Sequence, residues 1–174
     1  MAHVVFLRGA NVGGNNVFRP AKLAAALSHL DTVNVGAAGT FVIRGKTSAA
    51  AIRREILSRL PFEPHLAIHQ AKDIVALVHT EPFRGVKFSK TMRGWVAALC
   101  ARPKRDPELP HIVSKRGTWV CRVDRVDGSF AFGLWQLVPR GFVIPANVVE
   151  DALGAPATVR WWETYERIAR VIEA

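Results

Sequence analysis

Residues 4–16 read VVFLRGANVGGNN, and the segment after them begins a helix at Pro20. The apolar run Val4–Leu7 predicts a buried strand, and the loop that follows it contains three Gly and three Asn residues. Pro20 suits the first position of a helix, and three leucines follow it at helical spacing. The chain therefore opens with a strand, a Gly/Asn-rich loop and a helix, in that order.

In the first half of the chain, strand-like and helix-like hydrophobic patterns continue to alternate. The pattern predicts strands at 3–8, 32–36, 40–44 and 64–69, and helices at 20–30 and 48–60. Thr47 or Ser48 is the expected cap of the second helix. The order β-α-β-β-α-β is that of the ferredoxin-like split unit, an antiparallel sheet with both helices on one face. A further short helix at 71–79 is expected to stop before Pro82.

The second half of the chain is mostly strand-like. Strands are predicted at 95–101, 112–114, 119–123 and 130–137, and Arg116-Gly117 and Asp127-Gly128 are typical of hairpin turns. A helix capped by Asn147 and ended by Gly154 follows, and the last helix is predicted at 161–172. The fold class is therefore α+β: a ferredoxin-like subdomain at 1–80, a basic linker at 81–92, and a smaller mixed α+β subdomain at 93–174, with antiparallel strands and then two helices.

Composition sets the broad class of protein. The 174 residues suit one domain or two small subdomains, and a hydrophobic content of 49% is enough for a full core. No apolar run reaches the roughly 18–20 residues of a membrane span, and the N-terminus lacks the layout of a signal peptide. We therefore expect a cytoplasmic protein with no membrane partner. Cys100 and Cys121 lie in apolar runs and predict reduced thiols, and no spacing indicates a metal or another cofactor.

The formal net charge of +10 is concentrated in one stretch of the chain. Residues 84–125 contain eleven basic and three acidic residues, a net charge of +8. The basic residues are Arg84, Lys87, Lys90, Arg93, Arg102, Lys104, Arg105, Lys115, Arg116, Arg122 and Arg125. Such a field attracts phosphates or acidic partners, although the same charges also suit a solvated, solubilising surface.

The loop at 8–19 has two interpretations. As a binding site, its backbone N–H groups and Asn side chains converge on an anion that Arg side chains at both ends clamp. The residues of this candidate site are Arg8, Gly9, Asn11, Gly13, Gly14, Asn15, Asn16 and Arg19. As a connection, its Gly residues supply positive φ and its Asn residues cap and turn the chain. Its spacing matches neither a Walker loop nor a dinucleotide fingerprint.

Other chemistry receives less support. His65 and His69 are expected on one solvated strand face, about 13 Å apart at 3.3 Å per residue, so they cannot share a metal ion. Nucleophile motifs such as GxSxG are absent, and we predict no catalytic residues. Phe6 and Phe41 sit where an RNA-recognition module of this topology presents stacking aromatics, but core packing is the favoured interpretation. The five Trp residues of the second half are interpreted mostly as core.

Several segments resemble one known family. The octapeptide LRGANVGG at 7–14 resembles the LRGINVGG signature that opens domain-of-unknown-function family 1697. The hairpin Gly39–Val42, the tripeptide Glu81–Phe83 and the stretch ALGAPATVR at 152–160 followed by Trp162 occur in the same order. The resemblance implies two α+β subdomains, the first ferredoxin-like, in a bacterial cytoplasmic protein. It implies no established activity, substrate or cofactor.

Three segments depart from that family's usual pattern. Ala37–Thr40 stand where Gln-Ser-Gly-Asn is usual, Phe142-Val143 where Ser-Lys is usual, and Trp161–Thr164 where Asn-Trp-Asn-Thr is usual. The first loop and Arg160 are retained. The loss of polar groups favours a binding or structural role over catalysis.

These observations leave three hypotheses about function. The first is a non-enzymatic domain that binds an anionic partner, either nucleic acid or a phosphorylated small molecule, through the 8–19 loop and the basic stretch. The second is an enzyme acting on a nucleotide or phosphate ester, with the loop as its anion cradle. The third is a structural or oligomerising domain in which the Trp-rich half supplies the interface.

Overall fold

The computed structural model describes residues 1–11, 14 and 16–174 and confirms a mixed α+β fold. Compact packing divides the chain into two units. Unit 1 contains Met1–Thr80 together with Glu166–Ala174, and unit 2 contains Glu81–Tyr165. The division into 1–80, 81–92 and 93–174 stays a prediction. The compact units group 81–92 with the second half and 166–174 with the first.

Unit 1 is built on a four-stranded sheet. Its elements are β1 (His3–Leu7), α1 (Pro20–Ala26), β2 (Thr32–Asn34), β3 (Thr40–Ile43), α2 (Ala49–Leu57), β4 (Leu66–Gln70) and α3 (Ala71–His79). The strand order is β2-β3-β1-β4, and every neighbouring pair is antiparallel. This order places β1 and β3 at the centre, as the split unit requires, so the ferredoxin-like topology is confirmed.

One face of this sheet carries both helices. Alternate residues of β1, β3 and β4 pack with α1 and α2 in one cluster whose buried members are Val5, Leu7, Ala10, Leu23, Ala24, Leu27, Phe41, Ile43, Ile52, Ile56 and Leu66. The side-chain oxygen of Ser48 accepts a hydrogen bond from the N–H of Ala51 (3.1 Å), which makes Ser48 the cap of α2. Both the one-sided arrangement and this cap agree with the sequence prediction.

The opposite face of the sheet is also covered, and this corrects the interpretation of His69. Val4, Phe6 and Val42 point to that face, and all three are fully buried. His65 is exposed, but His69 is half-buried with its ring 6.4 Å from that of Phe6. Burial lowers the pKa of His69, and the nearby Asp73 acts in the opposite direction. The prediction of a solvated face was wrong for His69 because it assumed that only the helical face is covered.

Unit 2 is built on a five-stranded antiparallel sheet. Its elements are β5 (Met92–Leu99), β6 (His111–Lys115), β7 (Thr118–Asp127), β8 (Phe130–Gln136), α4 (Pro145–Leu153) and β9 (Ala157–Trp161), and α5 (Trp162–Glu173) begins in it. The strand order is β6-β7-β8-β5-β9. Helix α4 contacts β7 and β9. Its Val148, Val149 and Leu153 join the core formed by Trp95, Cys121 and their neighbours.

Three local predictions differ from the structure. Helix α1 ends at Ala26 and is followed by a 3₁₀ turn at Ser28–Leu30, after which Asp31 adopts a left-handed conformation. Ile144, not Asn147, precedes α4, because Pro145 occupies the first turn, where its missing N–H is harmless. Strand β9 was missed. Trp161 stands four residues before Tyr165 and was assigned to the last helix, whereas it pairs with Trp95 of β5.

Gly39 sits at a close approach between two backbone segments of unit 1. Its φ of +75° lies in the left-handed region, and a Cβ added there would be 3.0 Å from the Cβ of Leu7. Its carbonyl accepts the N–H of Leu7 (2.8 Å), so this turn is held against the end of β1. Gly117 has a similar φ of +77° but faces open space.

We expect Gly39→Ala to lower the free energy of unfolding by about 2–4 kcal/mol, since the left-handed conformation and the contact with Leu7 both oppose a side chain. Gly117→Ala adds only the conformational cost, about 1 kcal/mol. Urea denaturation of both variants measures the difference. Equal losses would show that the contact with Leu7 is irrelevant.

Candidate functional site

The loop after β1 is held by the side chain of Asn11. Its Nδ2 donates to the carbonyl of Ala37 (3.0 Å), and its Oδ1 accepts the N–H of Phe18 (2.9 Å). Asn11 has a φ of +55°, a conformation that Asn tolerates better than most residues. One amide thus ties the loop to the β2–β3 hairpin and to the entrance of α1. For Asn11 the connecting interpretation is the better supported.

Four other residues of the candidate site are more open. The Nδ2 of Asn16 donates to the carbonyl of Gly9 at 3.4 Å, which is a long hydrogen bond. Gly9 and Gly14 have positive φ and, with Asn16 and Arg19, are exposed. These four residues have no acid or base that could transfer a proton near neutral pH.

The ends of the loop are placed differently. The N–H of Arg8 donates to the carbonyl of His65 (3.0 Å), so the start of the loop is also tied to the segment before β4. Arg19 precedes α1, and its side chain does not cap that helix. Because α1 has only seven residues, its dipole adds little to an anion site here. The predicted residues Gly13 and Asn15 lie outside the described residues.

The basic stretch of unit 2 is largely exposed and unneutralised. Nine of its eleven cations are exposed, and Arg93 and Arg122 are half-buried. In the part of the chain that the structure describes, three of the eleven form ion pairs, namely Arg84 with Glu81, Arg93 with Glu163 (3.5 Å) and Arg122 with Asp124 (2.6 Å). Such surface pairs contribute little stability. The other eight cations have no carboxylate partner among the described residues, although the side chain of Arg105 donates to a main-chain carbonyl.

These cations are spread over several elements of unit 2, and Arg93 lies on β5. Arg84, Lys87 and Lys90 lie on the segment before β5. Lys104 and Arg105 lie at the end of α4, where their main-chain N–H groups donate to the carbonyl of Leu153. The side chain of Arg105 donates to the main-chain carbonyl of Asp151. Cations at this end of a helix have a stabilising role of their own. Lys115 and Arg116 lie at the tip of the β6–β7 hairpin, and Arg122 and Arg125 lie on β7.

Arg160 lies in β9 near two other ionisable groups. Its Nη1 donates to Oγ1 of Thr158 (2.6 Å) and to the carbonyl of Val159 (2.9 Å). Burial lowers the pKa of Arg160 to about 10, and Tyr165 and Cys100 act in the opposite direction. Burial also raises the pKa of Tyr165, with Arg160 opposing it. At neutral pH the pair is therefore a fixed cation beside a protonated phenol.

The segments that depart from the family pattern differ in how far their side chains are buried. Phe142 is 71% exposed, whereas Val143 packs against the core of unit 2. Trp162 is buried and stacks on Tyr165 with ring centroids 6.5 Å apart, and Trp161 is half-buried beneath Arg93. Trp95, Trp135 and Trp162 are buried in unit 2. Most of the Trp side chains are therefore packing groups, as the sequence indicated.

A separate cleft of about 570 Å³ lies in unit 1. Met1, Ala2, Gln70, α3 and the end of α5 line it, and His79 pairs with Glu173 at its rim (3.2 Å). None of its described lining residues belongs to the 8–19 loop. Across the described residues, His, Cys, Asp and Glu side chains form no group of three or more that could hold a metal ion. Within the same residues, every helix is too short or too polar to span a bilayer.

Comparison with known proteins identifies relatives but no activity. The family described as "Protein of unknown function (DUF1697)" matches residues 1–118. No curated protein matches the chain. A similar solved structure is that of the conserved bacterial protein SP0830 from Streptococcus pneumoniae, with 16% identity, a TM-score of 0.59 and coverage of 98% of both chains. At this identity the likeness concerns the fold alone.

Asn11→Ala removes both amide hydrogen bonds and places Ala in a left-handed conformation. We expect it to lower the free energy of unfolding by about 2–4 kcal/mol. Asn11→Gly removes the same hydrogen bonds, but Gly adopts the left-handed conformation without strain. It should therefore lower the free energy of unfolding by only about 1–3 kcal/mol. Thermal and urea denaturation measure both. A loss below about 0.5 kcal/mol for both variants would contradict the structural role.

Cys121 is fully buried, and burial raises the pKa of its thiol to about 12. Because the thiolate is the reactive form, we expect Cys121 not to react with Ellman's reagent in the native protein. In the Cys100→Ser variant, one thiol should therefore titrate only after denaturation. Rapid labelling of that native variant at pH 8 would contradict the buried placement, and Cys121→Ser is the matched control.

Proposed function

The chain belongs to the DUF1697 family, and from this premise we propose that it is a non-enzymatic domain that binds an anionic partner. Nucleic acid is the first candidate partner, and a phosphorylated small molecule is the second. The proposal keeps the cytoplasmic location and bacterial origin expected from the sequence.

The observation that carries the proposal is the unneutralised charge of the 84–125 stretch. Eight exposed cations there have no ion-pair partner in the described chain. A protein that keeps so many cations unpaired gains little stability from them, whereas each one that contacts a phosphate releases a counterion. Their spread over the segment before β5, the end of α4 and the β6–β7 hairpin suits an extended polyanion better than a compact ligand.

The 8–19 loop is the second element of the proposal. Arg19 and the exposed backbone at Gly9 and Gly14 are available to an anion, whereas Asn11 is committed to holding the loop. The contribution of the loop therefore rests on arginine and main-chain N–H groups. Arg160 is buried, and its Nη1 donates to Thr158 and to the carbonyl of Val159, so it is not counted among the cations available to a partner.

The competing hypotheses receive less support. An enzyme acting on a phosphate ester needs a general acid or base beside the anion, and the described loop residues supply none. An oligomerisation surface formed by Trp residues is not favoured, because Trp95, Trp135 and Trp162 pack in the core of unit 2.

The proposal predicts binding with a strong salt dependence. A labelled oligonucleotide should bind at low salt, with log affinity falling linearly as log salt rises. The double variant Lys87→Gln/Lys90→Gln should weaken binding and reduce the slope by up to about 1.4 for a single strand, at about 0.7 per phosphate contact. Fluorescence anisotropy at several salt concentrations measures both quantities.

The matched control is Lys46→Gln/Lys72→Gln, which removes the same charge from two exposed positions outside the basic stretch. It should leave the slope unchanged if binding is localised. Equal losses in the two double variants would mean that only the total charge matters. A protein that binds neither nucleic acid nor heparin at low salt would overturn the proposal.

A further inference from the structure

Strand β7 contains two irregularities that align three side chains. Opposite β6, the register changes between Val113 and Ser114, so that Val113 faces Cys121 while Ser114 faces Trp119. Val120 is therefore an extra residue in β7. Opposite β8, the register changes again, because Arg122 faces Leu134 whereas Arg125 faces Phe132. Asp124 is the second extra residue.

The two bulges place Trp119, Arg122 and Arg125 on the same face of the sheet. In a regular strand, residues three apart point to opposite faces. One extra residue between two such residues brings both side chains to the same face. Strand β7 has one extra residue between Trp119 and Arg122 and another between Arg122 and Arg125. Leu134 and Phe132 are two residues apart on β8, so the two Arg positions are spaced by about 7 Å along the strand.

This face of the sheet is the one that α4 does not cover. It is buried at Val96 and Phe132, and it opens to solvent towards β7 and β6. Helix α4 packs with Cys121, Trp95 and Ala97 on the other face. On the face of the three aligned residues, Arg125 is exposed, Ile112 is 48% exposed, and Trp119 and Arg122 are half-buried. Trp119, Arg122 and Arg125 together are named the β7 strip.

Both arginines of the β7 strip lie over aromatic rings. The guanidinium carbon of Arg125 lies 4.3 Å from the ring centroid of Phe132, and that of Arg122 lies 5.8 Å from the ring of Trp119. Asp124 fixes the orientation of Arg122 through a hydrogen bond to its Nε (2.6 Å). A guanidinium group that lies over a ring has a second face, on which a further planar group can stack.

We propose that the β7 strip is a stacking platform for the bases of single-stranded nucleic acid. Bases stack on aromatic rings and on guanidinium planes, while nearby cations follow the phosphates. Lys115 and Arg116, exposed at the hairpin tip beside Trp119, are the cations placed to do so. A duplex hides its base faces, so a single strand is the fitting partner. The inference rests on the proposed function and assigns the base-contacting part of it.

The test uses the full chain and a fluorescein-labelled oligouridylate of about 12 nucleotides, a length within known single-strand site sizes. The corresponding single-stranded DNA and a duplex are compared by anisotropy. Trp119→Leu and Arg125→Lys should each weaken single-strand binding about tenfold, since stacking on one base has this order of effect. Arg125→Lys keeps its charge, so the salt slope should not change.

Two controls separate stacking from charge and from folding. Arg54→Lys makes the same replacement at an exposed position of α2, outside the basic stretch, and Trp161→Leu removes a ring from another Arg–Trp pair. Both should bind like the wild type, and circular dichroism establishes that all variants are folded. Lys115→Gln should reduce the salt slope, which distinguishes a phosphate contact from a base contact.

Each alternative result overturns the inference in a recognisable way. If the wild type binds single strands but Trp119→Leu and Arg125→Lys bind equally well, the β7 strip is not the platform, although the proposed function stands. Duplex binding as tight as single-strand binding also excludes base stacking. If no nucleic acid binds while heparin does, this inference fails and a different anion is the partner.

Discussion

The position of β1 between β3 and β4 is the constraint on which unit 1 depends. Both edges of β1 are paired and both of its faces are covered, so Val4, Val5, Phe6 and Leu7 are at most 1% exposed. The two neighbouring segments are also tied to the point where β1 ends. Leu7 donates to Gly39, and Arg8 donates to His65. The Gly/Asn-rich loop therefore starts from a fixed position.

The anchoring of the loop does not depend on the side chains of the neighbouring hairpin. Asn11 binds the carbonyl of Ala37, which is a main-chain group and is present whatever side chain occupies the position. The sequence AAGT can replace a polar hairpin without removing that hydrogen bond, provided that Gly39 keeps its left-handed conformation. The loop is thus a structural device, and the binding role proposed for it depends on the groups it leaves exposed.

Unit 2 shows a different relation between backbone and charge. Its sheet buries one face under α4, and β7 uses two bulges to direct Trp119, Arg122 and Arg125 to the other. Bulges of this kind re-aim side chains at the cost of ladder hydrogen bonds. The aligned set combines charge with planar surfaces, which is the combination that a single-stranded polyanion requires.

The local pattern of the sequence determined the order of elements in unit 1, the ferredoxin-like topology, the helical core face and the basic stretch, because each depends on periodicity or composition within a few residues. Leu23, Leu27, Ile52 and Ile56 show their helical faces in this way, and Gly154 shows the end of α4. Only the tertiary structure decided the burial of His69, the strand β9 and the alignment of the β7 strip. Burial depends on what covers the second face of a sheet, β9 exists because Ala157–Trp161 pairs with β5, and a bulge is defined by register against neighbouring strands. Such pairings join residues far apart in the chain, so no local pattern could reveal them.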